Sequence, residues 1–157
     1  MSDIQMYTIY IKAPKETVGK AITTSEYTTR WGYGGEVDVE LTPGGRYRNL
    51  STDEMKAMGM GETAVEGEVL SVDEGSRLEL SWRPTWHADT PATRVTWELT
   101  EYPSGVTKVV LTHDLSAAPD TAAEFAGGSD PGEGGGGWPW VLSDLKTLLE
   151  SGRPMWE

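Results

Sequence analysis

Gly137-Trp138-Pro139-Trp140-Val141-Leu142-Ser143-Asp144-Leu145-Lys146-Thr147-Leu148-Leu149-Glu150-Ser151-Gly152 is the stretch on which the fold turns. Trp138, Val141, Leu142, Leu145, Leu148 and Leu149 fall at i, i+3, i+4, i+7, i+10 and i+11. That spacing lays one apolar stripe along a helix. Pro139 suits its first turn and Gly152 its C-terminal cap. The stripe needs an apolar surface to cover, and the rest of the chain must supply it.

The segment before this helix, residues 116–137, is rich in Ala, Asp, Pro and Gly and ends in the run Gly134 to Gly137. A connection of that length inside a domain is a functional loop or a disordered one. Ala122 to Phe125 reads as a helical turn within it. Further back the chain alternates with period two. Val109, Leu111 and His113 share one face, as do Val95, Trp97 and Leu99, then Leu78, Leu80 and Trp82. Residues 63–72 and Arg46 to Leu50 read as further strands. Val37, Val39 and Leu41 alternate with Glu36, Asp38 and Glu40, so that strand is dry on one side and wet on the other. Pro43-Gly44-Gly45, Asp73-Glu74-Gly75 and Pro103-Ser104-Gly105 mark the turns, Pro84 to Pro91 a loop, and Met55 to Gly61 a Met-rich hairpin tip.

The N-terminal part differs. Residues 6–11 read as a strand. Ala13-Pro14 stops it and opens a short helix whose apolar face is Val18, Ala21 and Ile22. Ser25 caps a second short helix ending near Trp31, where Gly32, Gly34 and Gly35 break it. The order is therefore strand, two short helices, about six strands joined by short turns, and one long helix. This predicts an α+β fold in which a curved antiparallel sheet of about six to seven strands wraps around the C-terminal helix. One helix cannot fill the whole concavity of a twisted sheet, so space for a ligand is expected between them.

Composition sets outer bounds. The chain has 157 residues, 13 Lys and Arg, 25 Asp and Glu, and a formal net charge of −12. A phosphate backbone needs clustered Lys and Arg, so nucleic acid is not an expected partner. The absence of Cys excludes disulfides, thiol catalysis and Cys-ligated metals. No apolar run approaches the ~20 residues of a membrane span. Met1 to Met6 lacks a basic stretch followed by an apolar one, so the expected compartment is the cytoplasm. Asn49-Leu50-Ser51 matches a glycosylation acceptor, which has no role without export. Seven Trp stand against a single Phe. The plain reading of any one Trp is core; the set as a whole suggests a lined cavity.

Several short stretches, in this order, carry a resemblance. They are Ala13-Pro14 before Val18, Ala21 and Ile22; Trp31; Gly44-Gly45-Arg46-Tyr47; Gly67 to Val72; Arg77 to Trp82; Thr107 to His113; and Gly137-Trp138 leading to Leu142, Leu145 and Gly152. Together they resemble the helix-grip, START-like (SRPBCC) superfamily, and within it the branch named for the activator of heat-shock-protein-90 ATPase. The resemblance implies one START-like domain over residues 1–157, with 116–137 as a loop or lid and 138–151 as the closing helix. It implies lipid or polyketide carriage, cyclase chemistry or a co-chaperone role. Members often carry a Trp in the first helix, where this chain has Gly19-Lys20, and their segment before the last helix is shorter.

The candidate site follows from the predicted inward faces: Trp31, Tyr47, Trp82, Trp97, His113, Trp138, Leu142 and Leu145. Rings supply apolar contact, and the few N–H, O–H and imidazole groups fix orientation. His113 is the one candidate acid or base, although no partner base or nucleophile can be named for it, and a hydrogen-bonded structural histidine is the plainer reading. His87-Ala88-Asp89 offers two ligands without a third, so no metal is expected, and no cofactor is implied. No Gly-x-Ser-x-Gly occurs, and the Gly134–Gly137 run lacks the Lys-Ser/Thr of a phosphate loop. Glu36, Asp38, Glu40, Glu66 and Glu68 read as solvated outer faces. The leading expectation is a binding protein for a small hydrophobic molecule, held between sheet and last helix, with catalysis less favoured. The alternatives are a cyclase or dehydratase using His113, and a protein-interaction module. Homodimerisation is compatible with all three.

Overall fold

The computed structural model describes residues 4–73, 75–85, 89–118 and 137–155. Seven strands form one antiparallel sheet: β1 (Ile4–Ile11), β2 (Val37–Val39), β3 (Arg46–Leu50), β4 (Thr63–Asp73), β5 (Arg77–Pro84), β6 (Thr93–Glu101) and β7 (Thr107–Asp114). Their order is β1-β7-β6-β5-β4-β3-β2. Thus β2 to β7 make a meander and β1 returns to close one edge beside β7, in the register Tyr7 opposite Leu111. Helices α1 (Lys15–Thr23) and α2 (Ser25–Thr28) follow β1, α3 (Asp53–Ala57) lies between β3 and β4, and α4 (Gly137–Ser151) comes last. This is the helix-grip arrangement.

The alternating residues do what their period requires. Leu78, Leu80 and Trp82, Val95, Trp97 and Leu99, and Val109, Leu111 and His113 are all buried on the concave face. On α4, Trp138, Val141, Leu142, Leu145 and Leu148 are buried against them, and Leu149 is half-buried. Gly152 ends the helix with φ of 83°, a conformation that favours glycine. The sheet bends where register shifts interrupt β3 and β4, between Asn49 and Leu50 and between Val69 and Ser71. At Gly67 the strands approach so closely that a Cβ would stand 1.8 Å from the Ser81 carbonyl oxygen. No larger residue fits there, which explains a glycine in mid-strand.

Four local expectations are corrected. The cap of α2 is Thr24, not Ser25. The Ser25 hydroxyl instead exchanges hydrogen bonds with the Val37 backbone, accepting from its N–H at 3.0 Å and donating to its C=O at 3.1 Å. Residues 55–61 are not a simple hairpin tip. Thr52 accepts the Met55 N–H at 3.2 Å and, with Asp53 and Glu54 in the first turn, starts the short helix α3. Strand β2 stops at Val39, leaving Leu41 exposed. Pro84 ends β5 rather than opening the loop. Ala122 to Phe125, the rest of 119–136, and His87 lie outside the described residues. Among the described residues, no helix is long and apolar enough to cross a membrane.

Candidate functional site

The sheet register brings His113 on β7 next to Trp82 on β5 and Thr93 on β6, while the first turn of α4 sets Trp138 over them. Trp138 Nε1 donates to His113 Nδ1 at 3.0 Å. An indole nitrogen can only donate, so Nδ1 carries no proton and the neutral ring holds it on Nε2. Nε2 then donates to Thr93 Oγ1 at 2.7 Å, and Thr93 Oγ1 donates to the Trp82 carbonyl at 2.9 Å. Every donor in this chain points the same way. His113 is wholly buried. Burial pushes its pKa down to about 4, against a small opposing pull from Asp114.

Rings close round the imidazole. The Trp82 ring centroid lies 5.0 Å from that of His113 at 82°, and that of Trp138 lies 5.8 Å away at 75°. Trp138 also stands 5.8 Å from Trp82 and 6.1 Å from Trp97. Trp82–His113, His113–Trp138 and Trp97–Trp138 meet edge-on, an arrangement aromatic rings prefer. On the far side of Trp82, its indole hydrogen bonds the Tyr47 hydroxyl, which also donates to Asn49 Oδ1 at 3.3 Å. Burial drives the Tyr47 phenol up to about 12. Trp82, Trp97, His113 and Trp138 therefore meet, and Tyr47 joins them through Trp82. Leu142 and Leu145 are buried in the same core. Trp31 stands apart: it is half-buried and donates Nε1 to the Ala21 carbonyl at 2.8 Å.

With both ring nitrogens engaged, His113 orients two other groups and has no free nitrogen for a substrate. The interval between β5–β7 and the start of α4 is occupied by these rings. Open space lies on the other side of Trp97. There a cavity of about 440 Å³ opens between α1, Leu41 and the β4–β5 turn. Ile22, Val72, Leu78, Trp97 and Leu99 form its apolar floor, with Glu16, Gly19, Lys20 and Thr23 along its rim. Among the described residues the Lys20 ammonium and the Glu16 carboxylate have no hydrogen-bond or ion-pair partner. No group of three His, Asp or Glu side chains among the described residues is placed to hold a metal ion.

Sequence reasoning missed two members of this interior. Thr93 is placed by strand pairing with Trp82, which no local pattern reveals. Asp144 is fully buried on α4. Its carboxylate accepts the Gly32 N–H at 2.8 Å and the Met155 N–H at 2.7 Å, tying the α2 loop and the C-terminal segment to the helix. The available signal was an acidic residue on the apolar face, three positions after Val141 and four before Leu148. Burial pushes its carboxyl pKa up, against the pull of those two N–H donors. An Asp144→Ala variant strands both donors and is expected to lose about 2 kcal/mol, read by urea denaturation. A loss below a few tenths would show that the two N–H groups find water instead.

A sequence profile of the Activator of Hsp90 ATPase homolog 1-like proteins matches residues 12–150. The chain belongs to that family. No curated protein sequence matches it. Solved structures agree on the fold. CalU16 from Micromonospora echinospora superimposes with a TM-score of 0.70 at 20% identity, covering 96% of this chain and 76% of that one. The Aha1 dimer from Colwellia psychrerythraea gives 0.66 at 17% identity, over 95% and 97%. PFC0360w, an HSP90 activator from Plasmodium falciparum, gives 0.60 at 21% identity, over 92% and 86%. At these identities the likeness is one of fold.

Proposed function

We propose that this family member binds a small, mostly apolar molecule on the concave face of its sheet, in the cavity beneath α1, with Trp97 at the floor. In this reading the Trp82–His113–Trp138 cluster is the rigid back wall, and Tyr47, Leu142 and Leu145 hold that wall in place. About 440 Å³ lies within the roughly 300–1,000 Å³ common to small-molecule sites.

Gly19 is the observation that carries the proposal. It sits in the middle of α1, where glycine costs about 1 kcal/mol relative to alanine. Nothing among the described residues around it demands glycine. Its φ is not positive, and an added Cβ would have its nearest neighbours, Gly75 Cα and Leu99 Cδ1, at 3.9 Å. What the missing side chain supplies is room, because Gly19 lines the cavity. A helix weakened for space alone fits a site that receives a guest.

The test uses the fluorescent probe 1-anilinonaphthalene-8-sulfonate. Saturable binding at one probe per chain, with a change in Trp emission, is expected for the native protein. Gly19→Leu fills the cavity and should weaken binding at least tenfold, while Gly19→Ala should raise stability by about 0.5–1 kcal/mol. Absence of saturable binding, or equal affinity in Gly19→Leu, would remove the proposal. Self-association is part of the same reading, since the Colwellia relative is a dimer.

A further inference from the structure

The two edges of the sheet are built differently. Strand β2, at one end, has three residues and is flanked by Glu36 and Glu40. Its Asp38 is bound by Arg46 at 3.0 Å and Arg48 at 2.5 Å. A short, charged edge resists pairing with another chain. Strand β1, at the other end, has eight residues, Ile-Gln-Met-Tyr-Thr-Ile-Tyr-Ile, without a charge, a proline or a bulge. It pairs with β7 on one side and with no strand among the described residues on the other. Its outward side chains are uncharged: Ile4 is 49% exposed, Met6 63% and Tyr10 51%, with Thr8 exposed between the last two. Among the described residues, α4 covers its C-terminal end. Lys146 Nζ donates to the Tyr10 carbonyl at 2.7 Å, and Glu150 accepts the Lys12 N–H at 2.8 Å.

We infer that the open part of β1, from Ile4 to Thr8, is a self-pairing surface, on which a second copy of this chain adds its own β1 antiparallel about a two-fold axis near Met6. The partner chemistry follows from charge. Two chains of net −12 repel over most of their surfaces, and an eight-residue strand without charge is where that repulsion is least. A strand free of charge is also complementary to itself: Ile4 of each copy faces Thr8 of the other, and the two Met6 side chains meet. The flanking charges are opposite in sign. On β7, Lys108 stands beside Tyr10 and Asp114 beside Ile4, so the antiparallel arrangement sets the basic end of one copy against the acidic end of the other. Backbone hydrogen bonds supply affinity, as in other strand additions, and the symmetry makes the contact closed rather than fibrous. A single short strand pair is small, so the dimer is a weak one. This gives a surface to the self-association proposed above, and its test does not depend on the cavity.

Sedimentation velocity on the full chain, from about 1 μM to 1 mM, should show the native protein passing from monomer to dimer, as expected of an interface this small. Met6→Lys places two ammonium groups at the axis. It should raise the dissociation constant at least tenfold with an unchanged melting temperature, while Met6→Leu should dimerise as the native chain does. A native chain that stays monomeric throughout, or a Met6→Lys chain that dimerises normally, would overturn the inference. Hydrogen exchange at the Met6 and Thr8 amides closes the remaining route. Protection that grows with concentration supports self-pairing. Equal protection at the two ends of the concentration range means that a segment of the same chain, such as 119–136, already covers the edge, and overturns it as well.

Discussion

His113→Ala is expected to lower the unfolding free energy by about 4 kcal/mol. Two costs add. The Trp138 N–H loses its acceptor in a buried setting, worth about 1–3 kcal/mol. Removing an imidazole from among Trp82 and Trp138 leaves a void that those rings cannot collapse into, worth about 2 kcal/mol more. His113→Gln should recover part of the loss, because its amide can accept from Trp138 and donate to Thr93. A double-mutant cycle with Trp138→Phe isolates the hydrogen bond, and a coupling of about 1–2 kcal/mol is expected. Coupling near zero in chemical denaturation would show that the two residues merely pack.

The same cluster separates what could be read from the chain and what could not. The stripe from Trp138 to Leu149 and the alternation at 78–82, 95–99 and 109–113 each express one period, and burial on one face follows from the period alone. The order of elements then left little freedom, and the seven-stranded sheet closed by α4 agrees with it. Capping was harder. Thr24 and Ser25 are neighbours of similar chemistry, and the choice between them was made by Val37, twelve residues away, whose backbone engages the Ser25 hydroxyl. Helix α3 has five residues, too few to show a helical repeat, so its Met-rich composition read as a turn.

The interior is where pattern gives out. That Val109, Leu111 and His113 face inward is local information; that Thr93 meets His113 depends on the register between β5, β6 and β7. The cavity depends on distances that no periodicity encodes. The sequence shows a glycine at position 19 of the first helix, but only the packing of α1 over β6 turns it into open volume next to Trp97. The expected hollow lay between the sheet and the last helix; Trp82, His113 and Trp138 occupy that interval, and the open volume lies beneath α1 instead.

Acid should unfold the protein early, and His113 sets where. The sign follows from proton binding. An unfolded histidine takes up its proton near pH 6.5, the buried one only near 4. Between these values the unfolded chain binds the extra proton, so stability is fully present above about pH 6.5 and falls as pH drops toward 4. The interval of about 2.5 units corresponds to roughly 3 kcal/mol, an upper bound for one group. Asp144 works in the opposite direction. Its raised carboxyl pKa means that the folded chain accepts that proton sooner than the unfolded one, which offsets part of the loss at the acid end. Asp38, Asp114 and Glu150, whose hydrogen bonds lower their pKa values, add to the loss only once the pH has fallen into the carboxylate range. Among the described residues, the decline that begins between pH 7 and 5.5 is therefore that of His113. Urea titrations at half-unit pH steps should show it in the native chain and lose it in His113→Gln, where His87 is the one histidine left. A native profile flat down to pH 5 would mean that His113 is wetter than its surroundings indicate, and that Trp138 and Thr93 do not enclose it.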